Sequence, residues 1–173
     1  MTGPATLRVL QTTNLIALFV PGAAFGGLWL AHADDPRFAW LDPRRGSWQF
    51  WVIAVAGLAA TAAGVMDWNY HRRGRRIVGP RERRVEFAAL VFGGVPLFAL
   101  MAWASTAPDP RHLLVPVVAT AVAVAAGVCY DEFTFHGRCS RQETGFHRVL
   151  TLGMATAWLA WAHGCFVARL VDV

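Results

Sequence analysis

Three carboxylate–histidine pairs are the residues of this chain whose types and spacing suit chemistry. In each pair the carboxylate stands four positions before the histidine, at Asp67/His71, Glu132/His136 and Glu143/His147. Residues at i and i+4 project from one face of a helix, about 6 Å apart along its axis. Each pair can therefore offer a carboxylate oxygen and an imidazole nitrogen to a common point, as metal ligands do.

A weak internal repeat adds a fourth segment to these pairs. The Gly-Val dipeptide that precedes the Asp67 pair recurs ahead of the Glu132 pair. When that alignment is continued, Glu82 and Glu86 fall opposite the pair that begins at Glu143. Repeat-built membrane proteins often place their site where the repeats meet. We therefore expect four helical segments to form one cage of histidines and carboxylates.

Mixed imidazole and carboxylate ligands suit iron, manganese or zinc, and helix bundles with inward Glu and His often house two iron or manganese ions. The ligands exceed what one ion needs, so two divalent metal ions are predicted, iron or manganese in preference to zinc. Glu132 or Glu82 is expected to bridge them. The terminal ligands are expected to be Asp67, His71, Glu86, His136, Glu143 and His147.

Two details of this cage stay open. Asp131 precedes Glu132, and only one of two neighbours can face the cage; the i+4 spacing favours Glu132. Tyr70 and Tyr130 are the nearest candidates for a catalytic role in proton or electron delivery. The i to i+4 spacing also departs from the i to i+3 spacing of Glu-x-x-His di-iron bundles.

A plainer interpretation assigns the same side chains to charge pairing. Glu82 and Glu86 lie beside Arg83 and Arg84, and ionisable residues near helix ends cost less than those at mid-membrane. Three pairs that converge on one face favour the metal cage over this interpretation.

Apolar helices must position these residues. Of the 173 residues, 16% are charged, against about 25% in ordinary soluble domains, which excludes a soluble enzyme. Five stretches free of Asp, Glu, Lys and Arg are each long enough to cross about 30 Å of hydrocarbon as a helix. They are 14–33, 48–66, 87–105, 113–129 and 149–167.

The predicted fold is therefore an all-α, polytopic membrane protein with five transmembrane helices. Spans two to five are expected to form a four-helix bundle that extends beyond the membrane on the cytoplasmic side. The chain is expected to be one membrane domain, made of the first span and its loop (1–47), a first helical hairpin (48–106) and a second (107–173).

Arginine predicts the orientation of the chain. Segment 71–84 holds seven arginines, so the positive-inside rule places it in the cytoplasm. The N-terminus is then also cytoplasmic and the C-terminus outside, in a bacterial-type inner (plasma) membrane. The net charge of +5 comes from arginines that flank apolar spans, so it is assigned to topology and anionic lipid headgroups and not to nucleic acid.

The predicted function is metal-dependent oxidation or oxygenation of a lipophilic substrate at the cytoplasmic membrane face. A metal-dependent lipid hydrolase would use the same site, because a bound ion can activate water. A non-enzymatic accessory or assembly subunit of a membrane complex is the other alternative. Expected partners are membrane lipids, the lipophilic substrate, and further copies of the chain or a larger complex.

The outer side carries three histidines of its own, His32, His112 and His163. A second site formed by these three histidines is an alternative that the sequence does not decide. We favour ordinary packing for them, with His112 in a loop and His163 bonded to a neighbouring helix.

Overall fold

The computed structural model describes residues 12–13, 15–32, 34–73, 79, 84–85, 87–135 and 139–169. Within these ranges the chain is helical and has no strands, so the predicted all-α class is confirmed. The α-helices described there are Val20–Ala31 (α1), Trp48–Arg72 (α2), Val95–Thr106 (α3), Leu114–Phe135 (α4) and Arg141–His163 (α5). Short 3-10 helices lie at Pro36–Leu41, Pro43–Arg45 and Arg111–Leu113, and π-helical turns at Ala89–Gly94 and Gly164–Ala168.

Three helices are long and apolar enough to cross a membrane, namely Trp48–Arg72, Arg111–Thr134 and Arg141–Ala168. The other two expected spans correspond to shorter apolar helices at Leu15–Ala31 and Val91–Thr106. A turn ahead of Pro21 and a π-helical turn ahead of Pro96 interrupt them, because proline cannot donate to the helical ladder. Three helices thus support the membrane-protein class, and the five-span topology stays a prediction.

Among the helices that the structure describes, α2 and α5 form the most extensive contact. A Cβ added at Gly153 on α5 would lie 2.8 Å from the backbone oxygen of Ala56 and 3.0 Å from the Cβ of Ala60, both on α2. Ala60 and Ala63 are buried in this contact region. Small residues let apolar helices approach closely, and van der Waals packing then holds them together in lipid.

Serine caps define where both of these helices begin. The Ser47 hydroxyl accepts a hydrogen bond from the amide of Phe50 at the start of α2, and the Ser140 hydroxyl accepts one from the amide of Glu143 at the start of α5. Such caps satisfy first-turn amides that have no partner within the helix. Glu143 also lies in the first turn of α5, where the helix dipole favours negative charge.

The loop between α1 and α2 covers one end of the helices, which we call the loop end. Its side chains Phe38, Trp40 and Leu41 are buried in a cluster with Trp161 and Cys165. A Cβ at Gly164 would overlap the ring of Trp40. Glycine at this position therefore lets the Trp40 ring rest against the backbone at the end of α5.

Polar contacts tie α5 to the end of α3 at the loop end. The guanidinium of Arg169, 6% exposed, donates hydrogen bonds to the backbone oxygens of Ser105 at 3.1 Å and Ala107 at 2.6 Å. The indole N–H of Trp161 donates to the Ser105 hydroxyl at 3.0 Å. A cation at a helix C-terminus is favoured by the helix dipole, so Arg169 caps α3 as well as anchoring the chain that follows α5.

α3 packs in turn against α4, which presents a long apolar face outward. The side chains of Val115, Val122 and Phe133 are between 63% and 85% exposed. Exposed apolar surface of this extent marks contact with a membrane or another protein.

Candidate metal centre

The metal-ligand group forms where the last turns of α2 meet the first turns of α5. α2 carries Asp67 and His71, and α5 carries Glu143 and His147. The i to i+4 spacing puts each pair on one face of its helix, and the close packing of the two helices turns these faces toward each other. The four side chains each offer one ligand atom, and these atoms all lie within 4.8 Å of one another.

Individual distances within the group fall in a narrow range. His71 Nε2 lies 3.5 Å from Asp67 Oδ2 and 3.6 Å from Glu143 Oε1. His147 Nε2 lies 3.3 Å from Asp67 Oδ1. Ligand bonds of about 2.0–2.2 Å in tetrahedral geometry separate neighbouring donor atoms by about 3.3–3.6 Å. These three contacts are as short as the separation of neighbouring donor atoms around one metal ion, and Asp67 makes its two contacts through different oxygens.

The four side chains of the group differ in how far they are exposed to solvent. The carboxylate side chain of Glu143 is 2% exposed, and the other three side chains are each 17% exposed. A buried carboxylate costs several kcal/mol unless positive charge compensates it. Protonated imidazoles or a bound cation can supply that charge, and both fit the distances.

A hydrogen-bonded pair supports the group from the side. The Tyr70 hydroxyl lies 2.9 Å from the Ser140 hydroxyl, and Ser140 accepts the amide of Glu143. The ring of Tyr70 also meets those of His71 and Phe146 edge-on. Tyr70, predicted to be catalytic, thus contacts the ligand His71 and the residue that caps the helix bearing Glu143.

The role of Ser140 was missing from our sequence prediction, although its signal was present. Ser140 and Glu143 form the Ser-x-x-Glu pattern of a helix N-terminal capping box. This pattern fixes the residue at which α5 begins. It therefore also fixes the turns of α5 on which Glu143 and His147 lie.

α4 contributes a third helix to this region through Glu132. Its Oε2 atom lies 3.5 Å from Nδ1 of His147, and its side chain is 39% exposed. Glu132 thus contacts the ring nitrogen opposite the one that faces Asp67. Asp131, the other carboxylate left open by the sequence, directly precedes Glu132 on α4, and the choice between the two as a ligand stays a prediction.

Of the four remaining predicted residues, the structure describes one, Tyr130. Tyr130 is 48% exposed on α4, and within the described residues no contact ties its side chain to the group. Glu82, Glu86 and His136 lie outside the described residues. The part of the cage that would hold a second ion is therefore untested.

The three histidines of the loop end each have a different neighbour. His32 stacks on Phe38 with ring centroids 4.2 Å apart, and His112 meets Trp103 edge-on. The Nδ1 atom of His163 lies 3.2 Å from Nε2 of Gln49. These contacts agree with the packing interpretation of the three.

Comparison of the chain with family models, with curated proteins and with solved structures finds no match. The helical fold and the group formed by Asp67, His71, Glu143 and His147 are consequently the observations from which a function has to be argued.

Proposed function

We propose that this chain is a membrane metalloprotein that holds a divalent metal ion between α2 and α5 through Asp67, His71, Glu143 and His147. The observation that carries the proposal is the convergence of four ligand atoms within 4.8 Å around a carboxylate that is almost fully buried. A divalent cation would neutralise both carboxylates and leave both imidazoles uncharged, as metal ligation requires.

Iron, manganese and zinc are the ions that two imidazoles and two carboxylates suit. The four side chains account for one ion. A second ion, as expected from the sequence, would need further ligands from Glu132, Glu82, Glu86 and His136. Metal stoichiometry therefore tests the dinuclear form of the proposal.

An apolar groove beside the metal-ligand group supports a lipophilic substrate. The groove has a volume of about 440 Å³ and lies between α2 and α5. Met66, Phe146 and several small residues line it, and Arg141 also contributes to the lining. The groove is shallow and open, so it offers an apolar surface beside the group and not an enclosed substrate site. Met66 and Phe146 directly precede the ligands Asp67 and His147 along the chain, so the groove runs one helix face away from them.

The class of reaction follows from the ion. Iron or manganese, when bound, would supply redox chemistry toward dioxygen, and zinc would supply an activated water. Asp67, His71, Glu143 and His147 would hold such an ion, and iron or manganese would accept further ligands besides these four. We therefore propose oxidation or oxygenation of a lipophilic molecule as the activity, with hydrolysis of a lipid as the version that zinc would support.

One observation favours a second candidate, a non-enzymatic subunit with a structural ion. Four protein ligands fill a tetrahedral site, and structural zinc sites are closed in this way, whereas catalytic ones keep an open position. Azide added to the cobalt(II)-substituted protein separates the two. A changed visible spectrum indicates an open coordination position, and an unchanged one favours the structural role.

Metal analysis of the purified full-length chain tests the proposal itself. Wild type, His71→Ala and His147→Ala are purified in detergent, dialysed and measured by elemental mass spectrometry. The matched control is His112→Ala, which removes an exposed histidine at the loop end. We expect metal in wild type and in the control and its loss from the two site variants. Equal metal content in all four proteins, or none in wild type, would contradict the site.

Localisation in an inner membrane with a cytoplasmic metal site is part of the same proposal. The arginines that follow α2 support it through the positive-inside rule. A periplasmic reporter enzyme fused after Val173 should be active, and the same reporter fused within segment 74–83 should be inactive. The reverse pattern would invert the orientation and leave the metal site intact.

A further inference from the structure

His147 has a different carboxylate on each of its two ring nitrogens. Nε2 faces the metal-ligand group and lies 3.3 Å from Asp67, whereas Nδ1 lies 3.5 Å from Glu132. The two nitrogens point away from opposite edges of the imidazole. A carboxylate on Nδ1 is therefore separated by the ring from an ion bound at Nε2.

We propose that Glu132 is a positioning residue for the metal site: it accepts the Nδ1–H of His147 and so directs the Nε2 lone pair toward the ion. The inference rests on the metal site proposed above and gives Glu132 a role different from the bridging ligand expected from the sequence. A neutral imidazole carries its proton on one nitrogen, and the partner of that nitrogen decides which one is left to bind the metal.

Burial supports this division of roles among the carboxylates. Glu143 is 2% exposed, as befits a ligand inside the helix pair, whereas Glu132 is 39% exposed at its margin. A carboxylate at the margin of the helix pair is a strong acceptor for an imidazole N–H. Metal-bound histidines commonly donate their second N–H to such a carboxylate.

The position of Glu132 on α4 gives the contact a second consequence. Asp67 and His147 belong to α2 and α5, so Glu132 brings a third helix against the site. The ring of His147 is then held between two helices, and its rotation about the bond to its backbone is restricted from both sides.

Cobalt(II) binding to the metal-free full-length chain in detergent is the test, with wild type, Glu132→Ala, Glu132→Gln and Glu143→Gln compared. Loss of a partner of this kind typically weakens metal binding 10- to 100-fold, and we expect that loss in Glu132→Ala. Glu132→Gln should lose less, because its amide oxygen still accepts the N–H. Glu143→Gln removes a ligand and should lose more than either.

The ligand-field spectrum adds a readout that simple loss of stability would not move. At saturating cobalt(II), Glu132→Gln should keep the wild-type band positions, because no ligand is replaced, whereas Glu143→Gln should shift them. In the zinc-loaded protein, the nitrogen-15 NMR signals of His147 should show the proton on Nδ1 in wild type.

Each outcome decides between the two proposals. Wild type that binds no cobalt(II) overturns the metal site and this role with it. Wild type that binds while Glu132→Ala binds equally tightly overturns this role alone. A Glu132→Gln spectrum shifted as far as that of Glu143→Gln would also overturn it, since Glu132 would then be a ligand. A thermal melt of each variant shows that it is folded.

Discussion

Oδ1 of Asp67 lies 3.3 Å from Nε2 of His147, across the interface between α2 and α5. Within each helix the sequence spacing holds two ligands on one face, but this contact joins the two halves of the site. Whatever sets the distance between the two helices therefore also sets the geometry of the metal-ligand group.

Metal removal should destabilise the protein. A ligand present at 100 times its dissociation constant stabilises the folded state by about 2.7 kcal/mol, which for a chain of this size corresponds to about 5–10 °C in melting temperature. We expect EDTA to lower the melting temperature of wild type by that amount. Asp67→Asn should melt at the same temperature with and without EDTA. A wild-type melting temperature that ignores EDTA would count against a bound ion.

Gly153→Ala should weaken both stability and metal binding. The new methyl group would press on Ala56 and Ala60 and push α5 away from α2, and overpacking of this kind costs about 1–3 kcal/mol. The matched control is Gly57→Ala on α2, where the added Cβ meets nothing within 4 Å. Thermal melts and cobalt(II) titration of both variants measure the effect. Metal affinity that is unchanged in Gly153→Ala would show that the site does not depend on this contact.

Arg169→Met should destabilise the fold and leave the metal site alone. The variant takes the donor from the buried backbone oxygens of Ser105 and Ala107, and each buried acceptor left without a partner costs about 1–3 kcal/mol. Arg111→Met, which changes an exposed arginine, should stay within about 0.5 kcal/mol of wild type. Denaturation and metal content are measured together. Metal loss in a folded Arg169→Met protein would contradict the independence of the two ends.

Tyr70→Phe should keep its metal. The change removes the hydroxyl that lies 2.9 Å from that of Ser140, a loss of about 0.5–1.5 kcal/mol in stability. If Tyr70 delivers protons or electrons, turnover of a lipophilic substrate falls while metal content persists. Tyr130→Phe changes the other tyrosine predicted to be catalytic, at an exposed position, and the same two measurements on this variant show which tyrosine serves turnover. Loss of metal from Tyr70→Phe would make this residue part of the binding site itself.

The sequence predicted the features that depend on the spacing of residues along one helix. The charge-free stretches indicated apolar helices, and the i to i+4 spacing correctly placed Asp67 with His71 and Glu143 with His147. Which helix lies beside which depends on side-chain packing over long chain separations, such as Gly153 against Ala56. No local pattern carries that information, so the sequence predicted a cage shared by four segments but not that α2 and α5 would form its closest pair.

Two further features show the limits of local pattern. Pro21 and Pro96 predict interruptions in the first and third spans, but not their form, which is a turn at Leu18 and a π-helical turn before Pro96. For Glu132 the spacing indicated a residue near the site but not the atom it contacts, since Nδ1 and Nε2 of His147 are indistinguishable in a sequence.

The packing of Trp40 on Gly164 bears on how molecules travel to the metal-ligand group. A solute that entered from the loop end would first have to displace Phe38, Trp40 and Leu41 from the cluster that they share with Trp161. The buried side chains of the loop thus close the loop end of the helices. If the proposed metal site has a substrate, this packing directs its entry to the opposite end of α2 and α5 or to the side that faces the lipid.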